Sequence, residues 1–365
     1  MFAPIEQFLA IARTTLVECL RQPVALAVVV VATLLVILSN PLSAYTLSDD
    51  NHMFVDIGQS TIFLAGAVLA AFLATAAISR EIESRTLLTI VSKPVPRAIF
   101  VIGRYVGIAC AVAVALAFLG LVFAIVEQHG VLETAAMPIH LGVLLFGSLG
   151  MLAAVVGATW LNYIHGSSFG ASFLLLGVPC LGVAYLVTML FDAKLGSQEM
   201  SRAFEPEHWK AMLLLTEGIL VLCAIAVAAS TRLGQVPTLV VTLGALVTGL
   251  LSDWLFGRTV LSYEASHGQG AVVAGATEVA ASMAGDASAP LVSASSEAVG
   301  PLAYAIARVG WSACPNFQMF FVTDAVNQGV GIPTAYFLTA TAYAMLFIVA
   351  FVAIAVALFQ RREVG

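Results

Sequence analysis

The organisation of this chain is decided by one charged stretch, SREIESRTLLTIVSKPVPR, residues 79–97. It carries four of the fifteen basic residues and lies directly between two strongly apolar runs. Each run is long enough to cross a bilayer, which takes about 20 residues of α-helix. Pro94 and Pro96 predict the end of a helix and a change of chain direction. We therefore predict a short amphipathic helix over 80–97, between the second and third membrane spans.

The composition excludes a soluble fold. The 365 residues are 61% hydrophobic and 10% charged, whereas soluble domains are about 45–50% apolar and about 25% charged. No phosphate-binding G-x-x-x-x-G-K-[ST] motif occurs, so the sequence predicts no ATPase activity of its own. The five cysteines and six histidines are scattered and show no metal-ligand spacing. We therefore predict neither an enzyme, nor a metal site, nor a bound cofactor in this chain.

The hydropathy pattern predicts an all-α polytopic membrane protein with about eight transmembrane helices. Residues 1–22 have helical apolar spacing with charges between, which predicts an interfacial amphipathic helix. Residues 257–335 are predicted to be an extracytoplasmic loop with interfacial or re-entrant helices, before a last segment at 336–365. The predicted spans are 23–43, 58–79, 102–126, 138–161, 168–191, 211–230, 236–256 and 336–359.

Basic residues predict the orientation, because they are retained on the cytoplasmic side. With the N-terminus inside, ten of the fifteen Lys and Arg residues fall inside. The loops at 40–57 and 127–137 contain no Lys or Arg, as expected of outer loops. Both termini are therefore predicted to be cytoplasmic.

The charged stretch allows two interpretations on physical grounds. Glu81 and Glu83 are predicted to lie in the first turns of the 80–97 helix, where carboxylates favour the helix dipole. The apolar positions between the charges would suit a groove on a partner protein. The same pattern also fits a simple interfacial connector, and the residues alone do not choose between the two.

Residues 80–107, REIESRTLLTIVSKPVPRAIFVIGRYVG, resemble the signature of ABC-2-type permeases, the membrane subunits of a large class of ABC transporters. The family pattern is matched at Glu81, Glu83, Thr86, Pro94, Arg97, Gly103, Tyr105 and Gly107, and Arg104 replaces the usual Lys. The resemblance implies a coupling helix that rests on a separate ATPase subunit, which would bind ATP and Mg²⁺. The implied coupling residues are Arg80, Glu81, Glu83, Arg85, Thr86, Pro94, Arg97, Gly103 and Arg104.

A second stretch near the C-terminus strengthens the resemblance. CPNFQMFFVTDA (314–325), GIP (331–333) and FQRRE (359–363) are similar to the closing portion of one subgroup, which includes the permease of the nitrous-oxide-reductase maturation transporter. The family motif on the extracytoplasmic side consists of Pro315, Asn316, Phe317, Asp324 and Pro333. Because the family core has six spans, the pair 211–230 and 236–256 is expected to be additional.

The resemblance also implies partners and a location. A second permease chain, identical or different, would complete the path, and an extracytoplasmic accessory protein is a further candidate partner. The expected location is the bacterial cytoplasmic (inner) membrane, the expected direction is export, and no nucleic-acid partner is expected.

Two acidic residues fall within or beside predicted spans. Glu217 lies about one-third of the way into a span, where an ionised carboxylate at the bilayer centre would cost about 2.5–3.5 kcal/mol. A shallow position is the simplest interpretation, and an intramembrane polar site is the alternative. Asp253 lies at a span end and is expected to be interfacial.

Two rival functions stay open at this point. The first is a permease-like scaffold or anchor subunit that does not transport. The second is an ion-coupled secondary carrier, which would need paired intramembrane carboxylates or a broken-helix binding site. Glu217 is the one candidate for such a carboxylate, which argues against the carrier.

Overall fold

The computed structural model describes residues 3–44, 50–83, 96–131, 139–200, 204–266 and 300–360. Within these ranges the chain is almost entirely helical, and no β-strand is present beyond one isolated bridge between Phe191 and Ser197. The predictions for Arg85, Thr86 and Pro94 concern residues outside the described ranges.

The helices are α1 (Ala3–Leu20), α2 (Pro23–Ser43), α3 (Asp50–Glu83), α4 (Arg97–His129), α5 (Val143–His165, beginning with a π-helical turn), α6 (Phe169–Thr188), α7 (Pro206–Ser230) and α8 (Gln235–Leu250). A π-helical turn, Asp253–Gly257, then leads into α9 (Arg258–Ser266). The last elements are α10 (Pro301–Ala313), a 3₁₀ turn (Phe317–Phe320), α11 (Thr323–Asn327) and α12 (Thr334–Gln360).

Seven of these helices are long and apolar enough to cross a membrane, and the bent pair formed by α8 and Asp253–Glu264 makes an eighth. The all-α polytopic fold with about eight spans is therefore confirmed. The predicted seventh span, 236–256, is not continuous, because the chain bends by 55° after α8. At the break Leu251 has left the helical conformation, although its backbone N–H still donates to the carbonyl oxygen of Val247 at 3.0 Å.

Three helices form the centre of the bundle. Within the 18-residue apolar stretch that could cross the membrane, 72%, 72% and 78% of the residues are buried in α3, α4 and α7, against 17% in α5 and 22% in α12. Every residue from 221 to 228 of α7 is buried, as expected of a helix that is apolar all round. The predicted span 211–230 is thus the most enclosed of the bundle, which argues against its being a peripheral addition.

The second span extends further than the sequence suggested. The prediction that it ends at Ser79 is wrong, because α3 continues without a break to Glu83. Residues 79–83 contain no Gly or Pro that would stop a helix. Glu81 and Glu83 therefore occupy the last turn of α3, not the first turns of a new helix.

The two ends of the bundle differ in charge. The start of α4 lies beside the ends of α3, α7 and α12, which run antiparallel to it, and we call this the basic end, which carries Arg97 and Arg232. The opposite end, the acidic end, carries Asp56, Glu127, Glu205 and Glu207. The functional residues that the sequence indicates fall into two groups, one toward each end.

Candidate functional site

The first turn of α4 is attached to the last turn of α12 at the basic end. Arg97 is exposed, and its Nη1 donates a hydrogen bond of 2.9 Å to the carbonyl oxygen of Gln360. The last carbonyls of a helix lack intrahelical partners and favour a nearby cation. One turn further along, Phe100 stacks on Phe359 with ring centroids 5.6 Å apart. Movement of the 80–97 stretch would therefore reach α12 as well as α3 and α4.

Gly103, Arg104 and Gly107 face α1. A Cβ atom on Gly103 would lie 2.9 Å from Cγ2 of Ile11, and one on Gly107 would lie 2.6 Å from the carbonyl oxygen of Ala12. Between them, Arg104 forms an ion pair of 2.8 Å with Glu18. The two predicted coupling residues Gly103 and Arg104, together with Gly107 of the family pattern, thus form a contact within the chain. Arg80, Glu81 and Glu83 lie in the last turn of α3.

A loop enters the bundle from the acidic end, beside the break after α8. Its aromatic residues Phe317 and Phe320 are fully buried. The loop fits over two glycines that have no side chain to obstruct it. A Cβ atom on Gly249 would lie 2.5 Å from the carbonyl oxygen of Pro315, and one on Gly218 would lie 3.0 Å from the Phe320 ring. The motif residues Pro315 and Phe317 therefore pack directly against the broken span.

Asn316 connects this loop to two other parts of the chain and caps the loop's own 3₁₀ turn. Its Nδ2 donates to Oδ2 of Asp253 at 2.8 Å, and its backbone N–H donates to the Tyr343 hydroxyl at 2.8 Å. Its Oδ1 accepts from the backbone N–H of Gln318 at 2.9 Å and so caps the 3₁₀ turn. Gln318 in turn donates to the carbonyl oxygen of Leu250 at 2.7 Å, a carbonyl freed by the break.

Asp253 has a larger part in this network than its predicted place at a span end suggested. Besides Asn316, it accepts a hydrogen bond of 3.0 Å from Nε1 of Trp311. Its two carboxylate oxygens thus join the broken span to both α10 and the inserted loop. We name Asp253, Trp311, Asn316 and Gln318 the break network.

The other two motif residues lie outside the break network. Asp324 is exposed in the first turn of α11. Pro333 is exposed and precedes the first residue of α12. Next to Pro333, the backbone N–H of Ile332 donates to Glu207 at 2.7 Å, which holds the start of α12 against the start of α7.

Glu217 faces the last span. Its Oε1 accepts a hydrogen bond of 3.0 Å from the Thr341 hydroxyl, and its Oε2 is buried without a hydrogen-bond partner among the described residues. It lies eleven residues after Pro206, where α7 begins, which corresponds to about 16 Å along the helix. Glu217 also lies at about the same depth as the inserted loop, because the adjacent Gly218 contacts Phe320 of that loop.

Several polar contacts near the acidic end were not predicted. Gln59 is 1% exposed and accepts a hydrogen bond of 2.9 Å from Thr323. His208 is 2% exposed, lies 3.1 Å from Glu127 and stacks on Phe123 with centroids 5.0 Å apart. The His208–Glu127 pair lacks hydrogen-bond geometry, so it is a close contact between two polar side chains. In sequence each residue looks like an isolated polar position near a span end.

The fold and these contacts define a polytopic helical membrane protein with one charged connection between its two longest central helices. The model of one family, the ABC-2 family transporter proteins, matches residues 29–235. This is more than half of the chain, and the chain belongs to that family. It is therefore a permease component of an ABC transporter, a class that works with an ABC ATPase subunit. No curated protein gives a significant match to the sequence.

The family match also corrects the prediction of which spans are additional. It begins in α2 and ends at residue 235, the first residue of α8. The span at 211–230 lies within the match and at the centre of the bundle, so the prediction that it is additional was wrong. The spans beyond the match are the bent pair that begins with α8, and α12.

Proposed function

We propose that this chain is the membrane subunit of an ATP-driven exporter whose ATPase subunits rest on the 80–97 stretch. Two permease chains, identical or different, and two ATPase subunits would form the working unit, and the ATPase subunits would hold ATP and Mg²⁺. The resemblance of residues 314–363 to the nitrous-oxide-reductase maturation subgroup supports placing the chain near that subgroup, and the family as a whole favours export.

One observation carries this proposal: the 80–97 stretch joins the two longest central helices. With 34 residues in α3 and 33 in α4, each helix is about 50 Å long at 1.5 Å per residue. The hydrocarbon core of a bilayer is about 30 Å thick. Both helices are buried through most of their length, so a force applied to their connection would move the centre of the bundle.

The charge distribution supports an orientation in which the basic end faces the cytoplasm. Ten of the fifteen basic residues fall on that side, as the retention of basic residues inside requires. We therefore propose the bacterial cytoplasmic membrane as the location, with both termini inside. ATP binding would close the ATPase dimer, move residues 80–97 and, through Arg97 and Phe100, also move the end of α12.

The proposal is tested with the double variant Glu81→Lys, Glu83→Lys, purified in mild detergent from its native membrane with its partners. We expect the yield of co-purified ATPase subunit to fall by about tenfold, because reversed charges at an interface repel a complementary surface. The control is the double variant Glu199→Lys, Glu205→Lys, which reverses the charge of two exposed acidic residues toward the acidic end. Both variants should insert into the membrane normally.

The other outcomes are informative. Unchanged ATPase yield and activity in the Glu81, Glu83 variant would make the stretch a simple connector and contradict the proposal. Recovery with non-ATPase partners alone would favour the scaffold function. Proton- or sodium-driven uptake in vesicles without ATP would favour the secondary carrier.

A further inference from the structure

The contact between α1 and α4 is unusually close at one point. At Gly107, an added Cβ atom would lie 2.5 Å from Cβ of Thr15 and 2.6 Å from the carbonyl oxygen of Ala12. Gly103, one turn earlier, leaves similar room for Ile11. Two small residues four positions apart allow two helix backbones to approach closely. The backbone of α1 therefore rests directly on α4 at this point.

Arg104 lies between these glycines and is directed at α1. Its side chain is only 7% exposed, while that of its partner Glu18 is 39% exposed. Besides the ion pair with Glu18, its Nη1 lies 3.2 Å from the Thr15 hydroxyl, and its guanidinium lies 5.4 Å from the centre of the Phe100 ring. An arginine enclosed in this way cannot also present its guanidinium to a separate protein.

The reactivity of the Cys19 thiol offers a measure of this contact between α1 and α4. It directly follows Glu18, is 1% exposed, and is covered only as long as α1 stays in place. Burial, with the neighbouring Glu18 carboxylate, raises the pKa of the Cys19 thiol to about 12. Since the thiolate is the reactive form, this thiol should react very slowly while α1 is docked.

We propose that Arg104 is a positioning residue that holds α1 on α4, so that α1 and the first turns of α4 move as one unit. The docked helix extends the connection at 80–97 by a further 18 residues of rigid structure. This second part rests on the proposed function: when an ATPase subunit moves the start of α4, α1 moves with it. The assignment differs from a direct contact between Arg104 and the ATPase.

The docking is tested by the reaction of Cys19 with a membrane-permeant maleimide. The chain keeps Cys19, and the other four cysteines are replaced by Ala. We expect Arg104→Glu and Glu18→Arg each to raise the labelling rate roughly tenfold, because the rate follows the free energy of local opening. The exchanged pair Glu18→Arg, Arg104→Glu should return the rate toward that of the parent. The controls are Glu6→Arg and Arg13→Glu, exposed residues of the same helix, which should leave labelling unchanged.

A milder variant guards against misfolding. Glu18→Gln keeps the shape of the side chain and removes its charge, and we expect a smaller rise in labelling with full insertion. Labelling that stays slow in Arg104→Glu, Glu18→Arg and Glu18→Gln alike would overturn the proposal. So would an exchanged pair that labels as fast as the single variants.

The effect on coupling is read separately, as the ATPase activity of the purified complex. We expect Arg104→Glu to lower it and the exchanged pair to restore it, with the ATPase subunit bound throughout. Loss of the subunit in Arg104→Glu, without recovery in the exchanged pair, would mean that Arg104 contacts the ATPase. Because labelling needs no partner, the docking result stands or falls independently of the proposed function.

Discussion

The two ends of this bundle are held together by different means. At the basic end, α1 meets α4 through glycines that bring two backbones together, with the ion pair between Arg104 and Glu18 beside them. Toward the acidic end, a helix is broken, and the gap is filled by a loop held through side-chain hydrogen bonds. Gly249 also brings the loop backbone close to α8, but a loop can shift more easily than a whole helix. We therefore expect the basic end to behave as a rigid unit and the break to yield more easily.

The largest expected effect tests the rigid end. Gly107→Ala should destabilise the protein by about 3 kcal/mol, because the new methyl group meets backbone and a whole helix must shift. Chemical unfolding in detergent measures the loss. The control is Gly120→Ala on the same helix, whose added Cβ would make an ordinary contact at 3.5 Å with Met212. Equal stability of the two variants would mean that α1 yields easily and that the basic end is not rigid.

The matching change in the break should cost less. In Gly249→Ala, the methyl group would meet the Pro315 carbonyl oxygen at 2.5 Å and the Phe317 ring at 2.4 Å. A loop can retreat where a helix cannot, so we expect a loss of about 1.5 kcal/mol. The native Cys314 should then label faster with maleimide. Gly244→Ala, on the same helix with open space around it, should change neither quantity; a loss at Gly249 as large as that at Gly107 would remove the contrast.

The contrast also shows what sequence could predict. Membrane-length apolar runs fix the all-α fold and most span positions, and proline and charge mark the connection at 80–97. Gly103 and Gly107 match the family pattern, but the pattern does not say which helix packs against them. Arg104 and Glu18 are 86 residues apart, and Asn316 and Asp253 are 63 apart. Such pairings follow from how the helices pack, which a single sequence does not specify.

The break itself was missed for a related reason. Residues 236–256 are apolar enough for one continuous span, and a helix would be favoured if the segment were isolated. The inserted loop supplies a hydrogen bond to the carbonyl of Leu250 that a broken helix in lipid would otherwise lack, and an unsatisfied carbonyl in hydrocarbon costs several kcal/mol. The stability of the break therefore depends on residues about 65 positions away, in the 314–325 motif.

A third, smaller effect concerns the break network. Asp253→Asn should destabilise the protein by about 1 kcal/mol, because an amide N–H₂ group would replace a carboxylate oxygen that accepts from Asn316 or Trp311. The double variant Asp253→Asn, Asn316→Asp exchanges donor and acceptor and should recover part of the loss. Unfolding of the single and double variants measures the coupling. An additive double variant would show that the two side chains do not stabilise each other.

The smallest effect is expected at Glu217, where one hydrogen bond joins α7 to α12. Thr341→Val removes the hydroxyl that donates to Glu217, and tertiary hydrogen bonds within membranes contribute about 0.6 kcal/mol on average. We expect a loss of that size in unfolding measurements. Thr339→Val is the control, because the bond that the Thr339 hydroxyl makes among the described residues is within its own helix, to Tyr336. Glu217→Gln keeps an acceptor for Thr341 and should be at least as stable as the parent, because a neutral amide is easier to bury than a carboxylate.

A loss above about 2 kcal/mol in Thr341→Val would exceed the largest values measured for such bonds. Glu217 would then be an essential tie between the family core and the last span, and the part of the bundle near the break would be held as rigidly as the basic end.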